Sequence, residues 1–331
     1  KVRPQELWDT FAEVIDICER EQTDLLLIAG DLFHRQPLKK ELKEVDYYFS
    51  RLSRTKVVLI AGNHDFLKQD SYYRSFQWSS NVYPLFDKEP ECVIFEDLDV
   101  AVTGFSYESR EILTPFDGGI RAEGDAKYEI LLVHGGDEKH LPIQKSLLEK
   151  SGFDYIAMGH IHKPQILIRD QAAFSGALEP IDRNDTGEHG YMEGRLINGR
   201  IRTEFVPFAC RSYQQLVMTL HEETTQISLE EAVKSQIFRR GGRNIYRIVL
   251  QGMRSPDLLL IPEKLKSLGN VTDVVDESWP AYDLGELYKR YSGTLIGDYI
   301  GYFLAKKGMD TVEKKALYYG LQALLETGSR R

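Results

Sequence analysis

Residues 55–65, TKVVLIAGNHD, decide how this chain is read. Five consecutive apolar residues, Val57 to Ala61, run straight into Gly62, Asn63, His64 and Asp65. An unbroken apolar run closed by glycine marks a central strand buried on both faces. Its tip carries an amide, an imidazole and a carboxylate side by side. The pattern recurs in DLLLIAGD (24–31), YEILLVHGG (128–136) and FDYIAMGHIHKP (153–164), each an apolar run that ends in polar residues.

Between and around these runs the spacing predicts helices. ELWDTFAEVIDICER places Leu7, Phe11, Val14, Ile15 and Cys18 on one helical face, KKELKEVDYYFSRL is helical in character, and a third helix is predicted over Ile143–Lys150. CVIFEDLDVAVTGFSY (92–107) reads as two strands around an acidic turn, and RLINGRIRTEFVPF (195–208) holds an Asn-Gly hairpin signal. The result is a layered α/β domain over 1–208, with its functional tips at the carboxyl ends of strands, where open α/β sheets hold their ligands. From 209 to 278 the order is strand, helix, strand, helix, strand, a small separate α/β unit. A capping box of Ser228 with Glu231 is expected to open its first helix. From 279 to 331 the pattern is helical. ELYKRYSGTLIGDYIGYFLAKKG carries Leu287, Tyr291, Leu295, Tyr299 and Tyr302 at helical spacing, and TVEKKALYYGLQALLETG follows as a second helix.

Composition narrows the function. The chain has 331 residues, 42% of them hydrophobic and 28% charged, with a net charge of −9. No apolar run approaches the roughly 18 residues of a membrane span, and no signal-peptide pattern heads the sequence. The three cysteines, Cys18, Cys92 and Cys210, fit no zinc spacing and read as reduced thiols of a cytoplasmic protein. A protein that grips nucleic acid through a broad basic face is usually more basic than this. Nucleic-acid binding here needs another source of positive charge, such as a local patch, metal ions or a partner.

Five of the eight histidines fall in four strand ends: GDLFHR (Asp31, His34), GNHD (Asn63, His64, Asp65), VHGG (His134) and GHIH (His160, His162). A single histidine at a strand end is usually a core residue, but five of them gathered in this way point to a site. Imidazoles together with carboxylate and amide oxygens suit divalent ions such as Mn²⁺, with Fe²⁺, Zn²⁺, Ni²⁺ and Mg²⁺ as alternatives. The absence of thiolates argues against structural zinc. A carboxylate bridging two ions gives the two-metal arrangement of phosphate-ester hydrolysis, which would also supply the missing positive charge. Gly30, Gly62 and Gly159 allow tight turns beside the ions. A turn after Gly159 would aim His160 and His162 at different ions. His140, His189 and His221 belong to no motif and read as ordinary surface or core histidines.

Read in order, GD at 30–31, GNHD at 62–65, His134 and GHIH at 159–162 resemble the calcineurin-like metallophosphoesterases. GDLFHR, MGHIHKPQ and FSGALEPID, with the small α/β unit, are similar to the Mre11/SbcD-type DNA-repair nucleases and their bacterial YhaO-like branch. The resemblance implies a layered β-sandwich flanked by helices, an α/β capping domain and a C-terminal helical segment. It implies that Asp31 bridges two metals, that Asn63, His134 and His160 hold one ion, and that His162 holds the other. His64 would contact the scissile phosphate and protonate the leaving oxygen, with Asp65 orienting its ring, and His34 would be a nearby supporting residue. The family's first D-x-H motif would lie before Lys1, so the chain as given would hold one ion rather than two. The partners implied are DNA and an SMC-like ATPase of the SbcC/Rad50 type, a coiled-coil protein that the helical segment 279–331 is expected to bind, with a homodimer as a further expectation. Two other readings stay open: a small-nucleotide phosphodiesterase or protein phosphatase with the same chemistry, and a non-catalytic scaffold.

Overall fold

The computed structural model describes residues 3–328. The chain divides into two compact units, 1–213 and 214–331. The boundary lies five residues beyond the expected one, and the helical segment after 278 groups with the second unit rather than standing apart.

The first unit is built from two facing sheets. Strands β1 (Leu25–Ala29), β2 (Lys56–Ile60) and β3 (Val82–Pro84) form a parallel three-stranded sheet in that order. Strands β4 (Glu91–Phe95), β5 (Val100–Gly104), β6 (Tyr128–His134), β7 (Tyr155–Gly159), β8 (Gln165–Ile168) and β9 (Ala172–Phe174) form a second sheet in the order β4-β5-β6-β7-β9-β8. The continuous apolar runs are explained by burial on both faces. Val58 and Ile60 point between the sheets, against Val102, Ile130 and Leu132. Their neighbours Val57 and Leu59 point the other way, onto Ile15, Val45 and Phe49 of helices α1 (Arg3–Arg20) and α2 (Lys39–Ser50). Likewise Leu131 and Val133 of β6 pack outward on Leu148, Phe153 and Phe174. Each such side chain stabilises the fold by about 1.5–3 kcal/mol, and truncating one to Ala costs about 2–5 kcal/mol.

Three details differ from the sequence reading. Strand β1 is only partly buried, because among the described residues it is the edge of its sheet. The helix predicted over 143–150 shrinks to α3 (Lys145–Leu148), in which Leu148 is buried and Leu147 packs half-buried on the same core. Strands β3, β8 and β9 were not foreseen, since runs of three or four residues carry too little periodicity. The hairpin is as expected: β10 (Gly190–Ile197) and β11 (Arg200–Pro207) flank Asn198 and Gly199, both with positive φ, which suits a type I′ turn.

In the second unit β12 (Tyr213–Leu220), β13 (Ile245–Arg254) and β14 (Val271–Asp276) form a sheet in that order, with β15 (Trp279–Pro280) also on β13. Helices α4 (Gln226–Arg240) and α5 (Pro262–Lys266) belong to this unit. Leu229, Val233 and Ile237 of α4 close a core with Leu216, Tyr246 and Ile248. Helix α4 begins a turn earlier than expected. Its N-cap is Thr225, whose hydroxyl accepts the Ser228 N–H at 3.1 Å while Ser228 Oγ accepts the Thr225 N–H at 3.0 Å. Glu231 plays no part in the cap. The expected long C-terminal helix is broken at Gly293, which has φ +74°, and Thr294 caps a new start. The result is α6 (Leu284–Arg290), α7 (Leu295–Leu304) and α8 (Thr311–Gly328).

Candidate metal centre

Four strand ends meet at one point. Strands β1 and β2 run parallel in one sheet, and β6 and β7 in the other, so their carboxyl ends deliver Gly30-Asp31, Gly62-Asn63-His64, His134 and Gly159-His160 to the same edge. The approach is too close for any side chain at the turn glycines. A Cβ at Gly159 would overlap the Ala29 carbonyl oxygen, and one at Gly62 would overlap the Asp31 carboxylate. Beyond the turns, Asp31 has φ +51° and His160 has φ +94°. A positive φ at a non-glycine residue costs of order 1–3 kcal/mol and persists where the surroundings impose it. The turn after Gly159 therefore exists, and it separates the two histidines of GHIH.

The hydrogen bonds show what the centre could hold. His134 is buried, and its Nδ1 lies 2.7 Å from the Ala29 carbonyl oxygen, which can only accept, so the proton sits on Nδ1. The lone pair on Nε2 is then turned toward Asn63 Oδ1 at 2.9 Å and Asp31 Oδ2 at 3.3 Å. His160 adds Nδ1 at 3.1 Å from the same Asn63 oxygen. Acceptors facing acceptors at these distances are satisfied by a cation. Asp31, His134 and His160 offer ligand atoms that all lie within 4.8 Å of one another, and Asn63 Oδ1 sits among them. This donor set fits a divalent ion. The other Asp31 oxygen, Oδ1, accepts the His64 N–H at 2.8 Å.

A second cluster, Asp137, His140 and His160, has similar spacing but different chemistry. Asp137 Oδ1 accepts the N–H groups of Lys139 and His140 at 2.8 and 2.9 Å and lies 2.8 Å from His140 Nδ1, while Oδ2 lies 2.7 Å from His160 Nε2. Every contact here pairs a donor with an acceptor, so no ion is required. Desolvation would raise the Asp137 carboxyl, but these hydrogen bonds hold it well below the ordinary range. His140 is thus not the ordinary histidine the sequence suggested. Its ring packs 4.3 Å from that of His160.

The remaining candidates fall out as follows. His162 is not in the Asp31 cluster; its Nδ1 lies 3.1 Å from both carboxylate oxygens of Asp185. The His64 ring does not rest on Asp65. Instead it stacks on His34, with centroids 4.2 Å apart. Asp65 is fully buried and accepts from the N–H of Gly62 (2.8 Å), the N–H of Phe33 (3.2 Å) and the Tyr73 hydroxyl (2.9 Å). It fastens the GNHD turn to the Asp31 loop from below. Burial, with the nearby Asp31 charge, pushes its carboxyl up to about 6. Burial likewise lowers the His64 imidazole, against the pull of Asp31.

Sequence reasoning missed three supporting residues. Asp137 and Asp185 lie in loops outside any motif. Tyr107 is fully buried, donates its hydroxyl to the His134 carbonyl at 3.0 Å and sets its ring edge-on to the imidazole. The aspartate immediately after the HGG of 134–136 was the one signal available for Asp137.

A strand-end cluster of carboxylate, amide and imidazoles between two sheets defines a metal-dependent phosphoesterase, and the comparisons agree. Residues 5–164 match the calcineurin-like phosphoesterase family description. The chain belongs to the calcineurin-like metallophosphoesterases. It is 32% identical over 275 residues to the metallophosphoesterase YhaO of Bacillus subtilis, covering 77% of this chain and 67% of that protein. It is 26% identical over 291 residues to the DNA double-strand break repair protein Mre11 of Sulfurisphaera tokodaii, covering 81% of this chain and 73% of that one. The Mre11 of Saccharolobus solfataricus is 25% identical over 181 residues, 52% of this chain and 47% of its own. No helix among the described residues is long and apolar enough to cross a membrane.

Proposed function

We propose that the chain is a Mn²⁺-dependent DNA nuclease that hydrolyses phosphodiester bonds at DNA ends, acting beside an SMC-like ATPase of the SbcC/Rad50 type. The observation that carries the chemistry is the convergence of Asp31, Asn63, His134 and His160 as acceptors without a donor between them. DNA as substrate is supported by the likeness to Mre11. That likeness spans 81% of the chain and so runs well beyond the matched phosphoesterase region of 5–164.

Each residue's part follows from its contacts. Asp31 Oδ2, Asn63 Oδ1, His134 Nε2 and His160 Nδ1 would hold the ion. When bound, the ion supplies a Lewis acid for the phosphate oxygens and a water acidic enough to attack as hydroxide. His64 is tethered beside the ligands by its N–H bond to Asp31 and kept in place by the His34 ring. It is neutral in the free site, where burial lowers its pKa. The negative charge of a phosphodiester beside it favours the imidazolium, which gives its proton to the leaving oxygen. The centre also answers the acidic composition, since the charge that attracts phosphate comes from the ion.

The test uses the purified chain with Mn²⁺ on end-labelled duplex DNA, cyclic nucleotides and a phosphomonoester. Cleavage at duplex ends that disappears in Asp31→Ala is the expected result. Turnover of cyclic nucleotides with intact duplex would make the chain a small-nucleotide phosphodiesterase instead.

A further inference from the structure

Each of the two histidines in the Asp31 cluster has its outward nitrogen held by an acceptor. For His134 the acceptor is the Ala29 carbonyl. For His160 it is Asp137, at 2.7 Å from Nε2. The case of His160 is the more exacting. The nitrogen it turns to the cluster is Nδ1, next to the backbone and 3.1 Å from Asn63 Oδ1. His140, itself on Asp137, closes the outer face of the ring.

We propose that Asp137 is a positioning residue for the metal centre: by accepting the His160 Nε2 proton it keeps the Nδ1 lone pair turned toward the ion. This inference rests on the metal-centre reading given above. It acts through the location of one proton. The two neutral tautomers of imidazole are close in energy, so whichever partner faces Nε2 decides which nitrogen is free. An acceptor at Nε2 leaves Nδ1 bare. A donor at Nε2 would draw the proton onto Nδ1 and block the ligand. Outer partners of this kind typically control metal affinity by 10–100-fold.

Asp137→Asn separates this role from a structural one. Oδ1 of residue 137 receives three donors, the N–H groups of Lys139 and His140 and the His140 ring. The asparagine oxygen therefore stays at that position and keeps the loop. Its NH₂ takes the place of Oδ2 and presents a donor to His160 Nε2. The tautomer inverts while the shape is kept, as happens when an amide replaces the carboxylate behind a catalytic histidine. Asp137→Ala removes the partner without supplying a donor, and water can accept in its place.

The experiment reads two quantities on the full chain: the His160 tautomer from nitrogen-15 NMR of the metal-free protein, and Mn²⁺ affinity from calorimetric titration. The expected result is a proton on Nε2 in the wild type and on Nδ1 in Asp137→Asn. Mn²⁺ binding should weaken by about 10–100-fold in Asp137→Asn and by less in Asp137→Ala. A wild-type proton on Nδ1, wild-type affinity in Asp137→Asn, or a larger loss in Asp137→Ala than in Asp137→Asn would overturn the proposal. A wild-type chain that binds no Mn²⁺ would instead overturn the metal-centre reading, and the metal-free spectra would still report where the proton lies.

Discussion

His64 and His160 stand within one site yet should fail in different ways when replaced. His64 reaches the centre through its backbone, whose N–H donates to Asp31 Oδ1. His64→Ser keeps that bond, so Mn²⁺ affinity should stay near wild type while hydrolysis falls by about 10²-fold or more, the share of a proton donor. His160→Ala removes a ligand atom, so affinity and hydrolysis should fall together. Calorimetric titration of both variants, with rates on duplex ends, makes the comparison; equal loss of Mn²⁺ in the two would place His64 among the ligands. The clustered residues Asp31, Asn63, His134 and His160 were legible in the sequence because each sits at the end of an apolar run, where strand and turn fix its position locally. Their supports were not. Asp137 and Asp185 meet His160 and His162 across 23 residues of sequence, and no short-range pattern specifies such a meeting. Asp65 misled for the opposite reason. Adjacency to His64 suggested a partner, but the turn carries its carboxylate beneath the backbone to Gly62, Phe33 and Tyr73.

Among the elements, the strands were the most legible and the helix ends the least. A run buried on both faces needs many apolar residues in a row, as in β2 and β6, and that survives in the sequence as a plain signal. A helix start depends on one side-chain hydrogen bond, and 225–231 offers two similar spacings, Thr225 with Ser228 and Ser228 with Glu231. The structure selects the first because Leu229, Val233 and Ile237 must all face the sheet, which leaves Ser228 already inside the helix. Thr225→Ala should destabilise the second unit by about 1 kcal/mol, whereas Glu231→Ala should change it little. Urea unfolding followed by hydrogen exchange at amides of β13, which reports on that unit alone, measures the difference. A larger cost for Glu231→Ala would restore the later helix start.

At the scale of the whole molecule the question is what the C-terminal helices are for. The sequence presented Leu287, Tyr291, Leu295, Tyr299 and Tyr302 as a single stripe, but the break at Gly293 divides it between α6 and α7. The buried members of these helices are others. Ile300, Phe303, Leu317 and Leu321 are buried, Tyr299 donates its hydroxyl to the Ala316 carbonyl at 2.7 Å, and Trp279 of β15 lies against the rings of Tyr318 and Tyr319. Removing everything after Glu277 would therefore strip β15 from β13 and disturb the second unit itself, so a truncation cannot isolate a binding role. The outward residues can. Leu295 is 71% exposed, Val312 73% and Tyr302 62%, a set of large apolar groups in water on helices that already have a closed inner side. On the reading that this segment docks the coiled coil of an ATPase, Leu295→Glu with Tyr302→Glu should leave the unfolding profile and Mn²⁺ binding unchanged. Co-purification with that ATPase should drop at least about tenfold, a loss of roughly 1.4 kcal/mol or more. Undiminished association would show that the exposed groups serve no docking role. Lost association together with a shifted unfolding profile would show that the charges had reached the inner side of the helices.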